Sequence, residues 1–421
     1  MAKNNIINVT IFGKNVGRLG LDENHSLTYF QYHPDFLLKE NFLNIFPATG
    51  IIKKTPHVQV FNKYNNETFK GLAPQFADSL PDLFGNLIFK TWLESKNVQE
   101  ITILEQLAYV SNRGMGALEY SPSKNIPKRA TIDLKEIIAV LNEVLDLKKS
   151  QSEKKANSKA LLNIFKIGTS AGGAKPKIII SEHKKSGKII PGDLEHSENY
   201  HHYLVKLDLE NVEKYPIQLV EYCYYLTATA IGINMMDSKL IEEKHFATLR
   251  FDRQEGKKQH VLTASGLTGW DFKSAVNSSY ENLFKLGSFL KISHAQTEEL
   301  FKRMVFNVVF NNTDDHLKNH SFIYNQQKDN WRLAPAYDLT YALNPLIDFK
   351  TISRGLSINS KRDKINLKDL LKIAEQFTIK NPKGVIDEVQ DGISILQKHM
   401  KAHNIPKRIT KNIIKKLSHT L

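Results

Sequence analysis

Hydrophobic positions change period several times along the chain. From residue 1 to about 120, alternating runs at Ile6–Phe12 and Ser26–Tyr32 put every second side chain on one face, as half-buried strands do. Glycine and proline punctuate them beside two amphipathic stretches, so this third is predicted as a small α/β or α+β module. A polar interval follows at Asp146–Lys159, whose five lysines and near absence of apolar residues predict an exposed linker or helix end. Beyond it, strand-like runs at Leu161–Ile167, Pro176–Ser181 and Tyr203–Leu207 precede a helical pattern over Pro216–Ile231. The remainder repeats helical spacing at Tyr280–Leu290, Glu298–Asn311, Leu367–Phe377 and a basic C-terminal segment. A loop-and-strand block over Thr313–Leu339 interrupts it, and no internal repeat or low-complexity tract is visible.

Composition narrows the class. A chain of 421 residues with 41% hydrophobic content can bury a large core, in two or three structural units. Its longest apolar runs, such as Ile101–Val110, fall short of the roughly 20 residues a membrane helix needs. The N-terminus lacks a signal-peptide core, so a cytoplasmic location and no membrane partner are expected. The single cysteine, Cys223, excludes an internal disulfide and any cysteine-based metal cluster. A formal net charge of +14 suits either an acidic partner such as a phosphate backbone or a plain solubility surface; no RRM, zinc-finger or clear helix-turn-helix pattern accompanies it.

Three segments carry candidate chemistry. Gly168, Thr169, Ser170, Gly172 and Gly173, with Lys177 just beyond, lie between two strand-like runs. Glycines let a backbone approach phosphates and lysines face the anion, although a hairpin turn has the same composition. A Walker A loop fits poorly, because Pro176 follows Lys175 where a hydroxyl should bind the metal. The run Asn312–Asn319 is more telling: a kinase catalytic loop needs a carboxylate to accept the substrate hydroxyl proton and an asparagine five positions on that reaches a metal, and Asp314 and Asn319 have that spacing. Lys318 could neutralise charge on the transferred group. Asp338, 24 positions after Asp314 within Leu333–Leu339, supplies a second carboxylate for Mg²⁺. Upstream, Lys206 ends an apolar strand run, Glu221 on the following helix is its natural partner, and Leu249–Arg253 falls where a hinge between lobes would be.

Taken in order, this set resembles the HipA family, the toxin kinases of bacterial toxin–antitoxin pairs, over nearly the whole chain. The runs Thr313–Asn319 and Pro335–Leu339, the segment Arg250–Arg253, the glycine loop with its internal Ser170, and the N-terminal stretches Gly71–Gly85 and Asn112–Tyr120 all look like family signatures. The resemblance implies an α+β, two-lobed protein-kinase-like fold with an N-terminal accessory subdomain (1–145), an N-lobe (146–253) and an all-helical C-lobe (254–421). It makes Asp314 the base, with His316 and Lys318 in support, Asn319 and Asp338 the Mg²⁺ ligands, and Lys206 the contact to ATP phosphates. Ser170 becomes an autophosphorylated serine whose added charge would expel the loop from the nucleotide site and switch the enzyme off. It further implies a HipB-like helix-turn-helix antitoxin, operator DNA within that complex, and a translation protein such as an aminoacyl-tRNA synthetase as substrate, with growth arrest or persistence as the outcome. Two departures stand out: His260–Leu267 lacks the acidic residues of the best-known branch, and Lys175-Pro176 replaces a more usual polar pair. A small-molecule phosphotransferase and an inactive pseudokinase co-repressor are the alternative readings.

Overall fold

Ile7, Val9 and Ile11 alternate because all three are buried on one face of β1 (Ile6–Ile11). The computed structural model describes residues 5–22, 27–38, 44–47, 51–81, 93, 101–123, 135, 137–139, 141–142, 176–192, 197–209, 214–347, 353–418 and 420. Two units emerge, Met1–Glu213 with Ala247–Val261, and Lys214–Phe246 with Leu262–Leu421.

In the first unit, β1, β2 (Lys14–Asp22), β3 (Leu27–Tyr32), β4 (Gln59–Val60) and β5 (Leu118–Ser121) form an antiparallel sheet in the order β4-β3-β2-β1-β5. Short helices α1 (Pro34–Leu37) and α2 (Pro74–Ala77) begin on prolines, whose fixed φ suits a first helical turn. The third, α3 (Ile103–Val110), starts on a capping box between Thr102 and Glu105. Phe30, Phe46 and Phe76 pack ring to ring at 4.9 and 5.5 Å to close the core.

A second sheet in this unit is built on β6 (Lys177–His183), which pairs antiparallel with β7 (Ile189–Pro191) and β8 (Tyr200–Lys206). The chain then leaves for α4 (Ile217–Ala230) and β9 (Ser238–Ile241) and returns as β10 (His245–Leu249) beside β8. Lys206 therefore sits on an interior strand. A two-residue hairpin, β11 (Arg253–Gln254) with β12 (Lys257–Lys258), follows. The polar interval Asp146–Lys159 and the strand-like Leu161–Ile167 lie outside the described residues.

The second unit is mostly helical. After β13 (His260–Thr263) come α5 (Ala264–Thr268), α6 (Tyr280–Phe289) and α7 (His294–Val309). A hairpin of β14 (Ser321–Asn325) and β15 (Asn330–Leu333) then intervenes, with β13 alongside β14, so the helical C-lobe carries a three-stranded sheet. Helices α8 (Leu367–Gln376), α9 (Pro382–Ala402) and α10 (Lys407–Leu417) complete it. Leu300, Phe301, Met304, Val305 and Val308 give α7 a wholly buried apolar stripe at helical spacing. Cys223 is buried on α4, where desolvation pushes its thiol up to about 12, so it stays protonated and inert. Among the described residues, no helix is long and apolar enough to cross a membrane.

Candidate active site

The loop that carries Asp314 is launched by the end of α7. That helix begins on a capping box, Ser293 with Gln296. It stops at Asn311, whose φ of +52° is the left-handed conformation that asparagine tolerates just past a helix end. The chain then runs without regular secondary structure through Asn312–His316 into a single 3₁₀ turn, Leu317–Asn319, anchored by fully buried Leu317.

Three sequence-predicted groups converge there. The Asn319 side-chain amide nitrogen donates to the Asp314 carbonyl at 2.7 Å, closing the loop Asp314–Asn319 on itself. His316 Nε2 approaches Asp314 Oδ1 at 3.7 Å, and the Asp314 side chain is 73% exposed. Asp338 joins through its backbone, since Asn312 Nδ2 donates to the Asp338 carbonyl at 3.2 Å and to Asn307 Oδ1 at 2.9 Å. Asp338 has φ +54°, a left-handed conformation that Asp and Asn enter more readily than most side chains. Its neighbour Tyr337 donates to the Lys318 carbonyl at 2.7 Å and meets Ser321 Oγ at 2.5 Å, tying the segment Pro335–Leu339 to the loop Asn312–Asn319.

The supporting residues were not legible in the sequence. Phe272 packs on His316 at 4.9 Å between centroids and lies under Lys318 Nζ at 5.2 Å, fixing both flanks of the loop. Arg303 of α7 is buried and donates to the Ala334 carbonyl and to Glu299, each at 2.8 Å, which pins the approach to Tyr337-Asp338. Burial lowers its pKa and the Glu299 carboxylate opposes that, as a paired interior arginine requires. Asp315 is buried beside exposed Asp314. Two adjacent aspartates look alike in a sequence, and only the fold separates the wet carboxylate from the dry one.

In the first unit, β6 and β8 pair so that Lys177 stands directly opposite Lys206. Opposed residues on an antiparallel ladder share a face, so two ammonium groups, 2% and 9% exposed, come to one face at one end of this sheet. That concentration of positive charge suits a phosphate chain. Glu221 lies buried on α4 in the other unit. Gly168, Thr169, Ser170, Gly172 and Gly173 lie outside the described residues.

Arg250–Arg253 is a fixed element of the first unit. Asp252 accepts from Arg250 Nη2 at 2.8 Å, Arg253 Nη1 at 2.7 Å and the Gly116 amide at 2.8 Å, all buried. Both arginines also reach the Gly114 carbonyl. Burial alone would raise the Asp252 carboxyl, but the two guanidiniums hold it well below the usual carboxylate range. Lys258 adds an ion pair to Glu119 at 2.7 Å, so β5 and the turn before it are stapled to β11–β12 by charge.

Mixed helix and sheet in this order is the architecture of a known fold class. The structure aligns over 98% of this chain and 95% of the other with HipA from Shewanella oneidensis, solved in complex with HipB and operator DNA, at TM-score 0.64 and 13% identity. The model of the HipA-like C-terminal domain matches residues 169–399, and that of the HipA N-terminal domain matches residues 7–121. The chain belongs to the HipA family. A Haemophilus influenzae protein described as "Putative kinase" is 30% identical over 127 residues, a match spanning 26% of this chain and 36% of that protein.

Proposed function

We propose that this protein is an ATP-dependent serine/threonine protein kinase, the toxin of a toxin–antitoxin pair. The observation that carries the reading is the loop over residues 312–319: an exposed carboxylate at Asp314, an amide at Asn319 locked to the Asp314 backbone, and Asp338 held to the same loop through Asn312 and Tyr337. In this reading Asp314 is the base that takes the proton from a substrate hydroxyl. His316 and Lys318 shape and charge the loop around it.

The donor set suits magnesium. Among the described residues, no three His, Cys, Asp or Glu side chains group as a metal cage. Mg²⁺ needs none, since one or two protein oxygens with nucleotide phosphates and waters fill its shell. Because the Asn319 nitrogen is committed to the Asp314 carbonyl, its Oδ1 is the end available to a cation, with the Asp338 carboxylate beside it in role. The ion would neutralise charge on the β- and γ-phosphates. Lys206 and Lys177 would hold those phosphates, and Glu221 and the glycines of 168–173 are assigned to nucleotide binding with them. Phosphate on Ser170 would withdraw that loop and limit the activity.

The family likeness supports the wider reading: a protein substrate such as an aminoacyl-tRNA synthetase or other translation protein, growth arrest or persistence, and a cytoplasmic site of action. The solved relative's complex supports a HipB-like antitoxin and operator DNA as partners. The test is transfer from γ-labelled ATP in cell lysate. Wild type is expected to label a small set of protein bands and itself, with the autophosphate mapping to Ser170, and Asp314→Asn to label none. Label confined to small metabolites would overturn the protein-kinase assignment.

A further inference from the structure

Asp315 is 1% exposed and its carboxylate is fully used. Oδ2 accepts from Arg354 Nη1 at 2.8 Å and from the Tyr280 hydroxyl at 2.9 Å, while Oδ1 accepts from the Leu356 amide at 3.2 Å. Arg354, 6% exposed, extends a second nitrogen to the Asn307 carbonyl at 3.4 Å. Asn307 in turn donates to Tyr280 at 2.9 Å and accepts from Asn312, the residue that also holds the Asp338 carbonyl.

The segment that supplies Arg354 is laid against the loop by its backbone as well. The Gly355 amide donates to the Thr313 carbonyl at 2.8 Å. A Cβ on Gly355 would stand 2.9 Å from the His316 nitrogen and 3.0 Å from its Cα, so glycine is what allows the approach. Arg362 secures the far side by donating to the carbonyls of Arg354, Gly355 and Ser278.

We infer that Asp315 and Arg354 are a positioning pair: their buried contact clamps the strap 353–358 onto Thr313–His316 and thereby fixes Asp314 and Asp338 relative to each other. The inference rests on the kinase reading of that loop. Neither residue touches substrate; each acts through the backbone that presents Asp314. A buried pair of this kind gives little net stability against an apolar replacement, but losing one partner leaves a charge stranded. Its use is therefore geometric, and catalysis is sensitive to small displacements of positioned groups.

The experiment compares wild type, Arg354→Ala and Asp314→Asn by single-turnover phosphoryl transfer, Mg·ATP affinity and hydrogen–deuterium exchange over residues 313–319. Arg354→Ala is expected to slow transfer roughly 10- to 100-fold, leave nucleotide affinity nearly unchanged, and speed exchange in the loop. Added methylguanidinium should restore part of the rate, which a merely structural lesion would not show. Wild-type transfer by Arg354→Ala beside an inactive Asp314→Asn would overturn the inference and keep the kinase reading. If wild type itself transfers nothing, the kinase reading fails, and the exchange arm decides whether the clamp exists: unchanged loop protection in Arg354→Ala rejects it. Should Arg354→Ala fail to fold, Arg354→Lys keeps the charge, gives up the forked donor that also reaches Asn307, and carries the same comparison.

Discussion

At the scale of single residues, burial decides what each titratable group can do. His260 and His320 are fully buried, and desolvation first, then neighbouring arginine in the case of His320, lowers their pKa values to about 4 and about 3. His202 falls to about 4, by burial and then by Arg250 and Arg253. The unfolded chain protonates each near pH 6.5, whereas the folded chain resists until those lower values. Between them the unfolded state holds more protons, so stability falls as pH drops below about 6.5, by about 1.4 kcal/mol per unit for each fully buried histidine. The melting temperature should therefore decline from pH 7 to pH 5, and His260→Gln should flatten that decline; a level profile for wild type would contradict it. The same distinction between wet and dry groups explains what the sequence could show of the site. The five-residue spacing from Asp314 to Asn319 is visible in a string of letters. The pairing of Asp315 with Arg354, 39 positions away, depends on which of two adjacent aspartates the fold buries, and spacing carries no trace of it.

At the scale of elements, periodicity did most of the predicting. Helices expected at Pro216–Ile231, Tyr280–Leu290, Glu298–Asn311 and Leu367–Phe377 appear as α4, α6, α7 and α8 with ends displaced by a few residues. The largest of those shifts comes from a cap, since Ser293 and Gln296 start α7 at His294, four residues before the expected Glu298. What periodicity could not show is the ionic staple in the first unit, because the sequence offers Leu249–Arg253 only as a place for a hinge, and the carbonyls of Gly114 and Gly116 that its arginines meet lie 136 and 137 positions away. Gly116 has φ +78°, and a Cβ there would lie 3.0 Å from the Val261 carbonyl oxygen. Gly13 has φ +71° with open space around it. Alanine at either position meets left-handed strain of roughly 1–2 kcal/mol, but only Gly116→Ala also displaces the stapled backbone. Gly116→Ala should lower the melting temperature well beyond Gly13→Ala; equal losses would show that the close approach is unimportant. Asp252→Asn should cost about 3–5 kcal/mol, as removing one member of a buried ion cluster does, measured by denaturant unfolding.

For the whole molecule, the likeness to HipA extends from the N-terminal domain through the C-terminal one, which accounts for the accessory sheet that a bare phosphotransferase would not need. The family was legible from a handful of ordered motifs. Substrate and partner recognition were not, because they depend on surface shape, which no short motif encodes. In the proposed mechanism the chemistry rests on Asp314 as the proton acceptor, and positioned bases of this kind contribute roughly 10²- to 10⁴-fold to a rate. The most direct measurement is the single-turnover rate of γ-phosphate transfer from Mg·ATP to protein by wild type and by Asp314→Asn, each verified as folded. A loss of at least about 100-fold in the variant is predicted; transfer by Asp314→Asn at the wild-type rate would contradict the assignment.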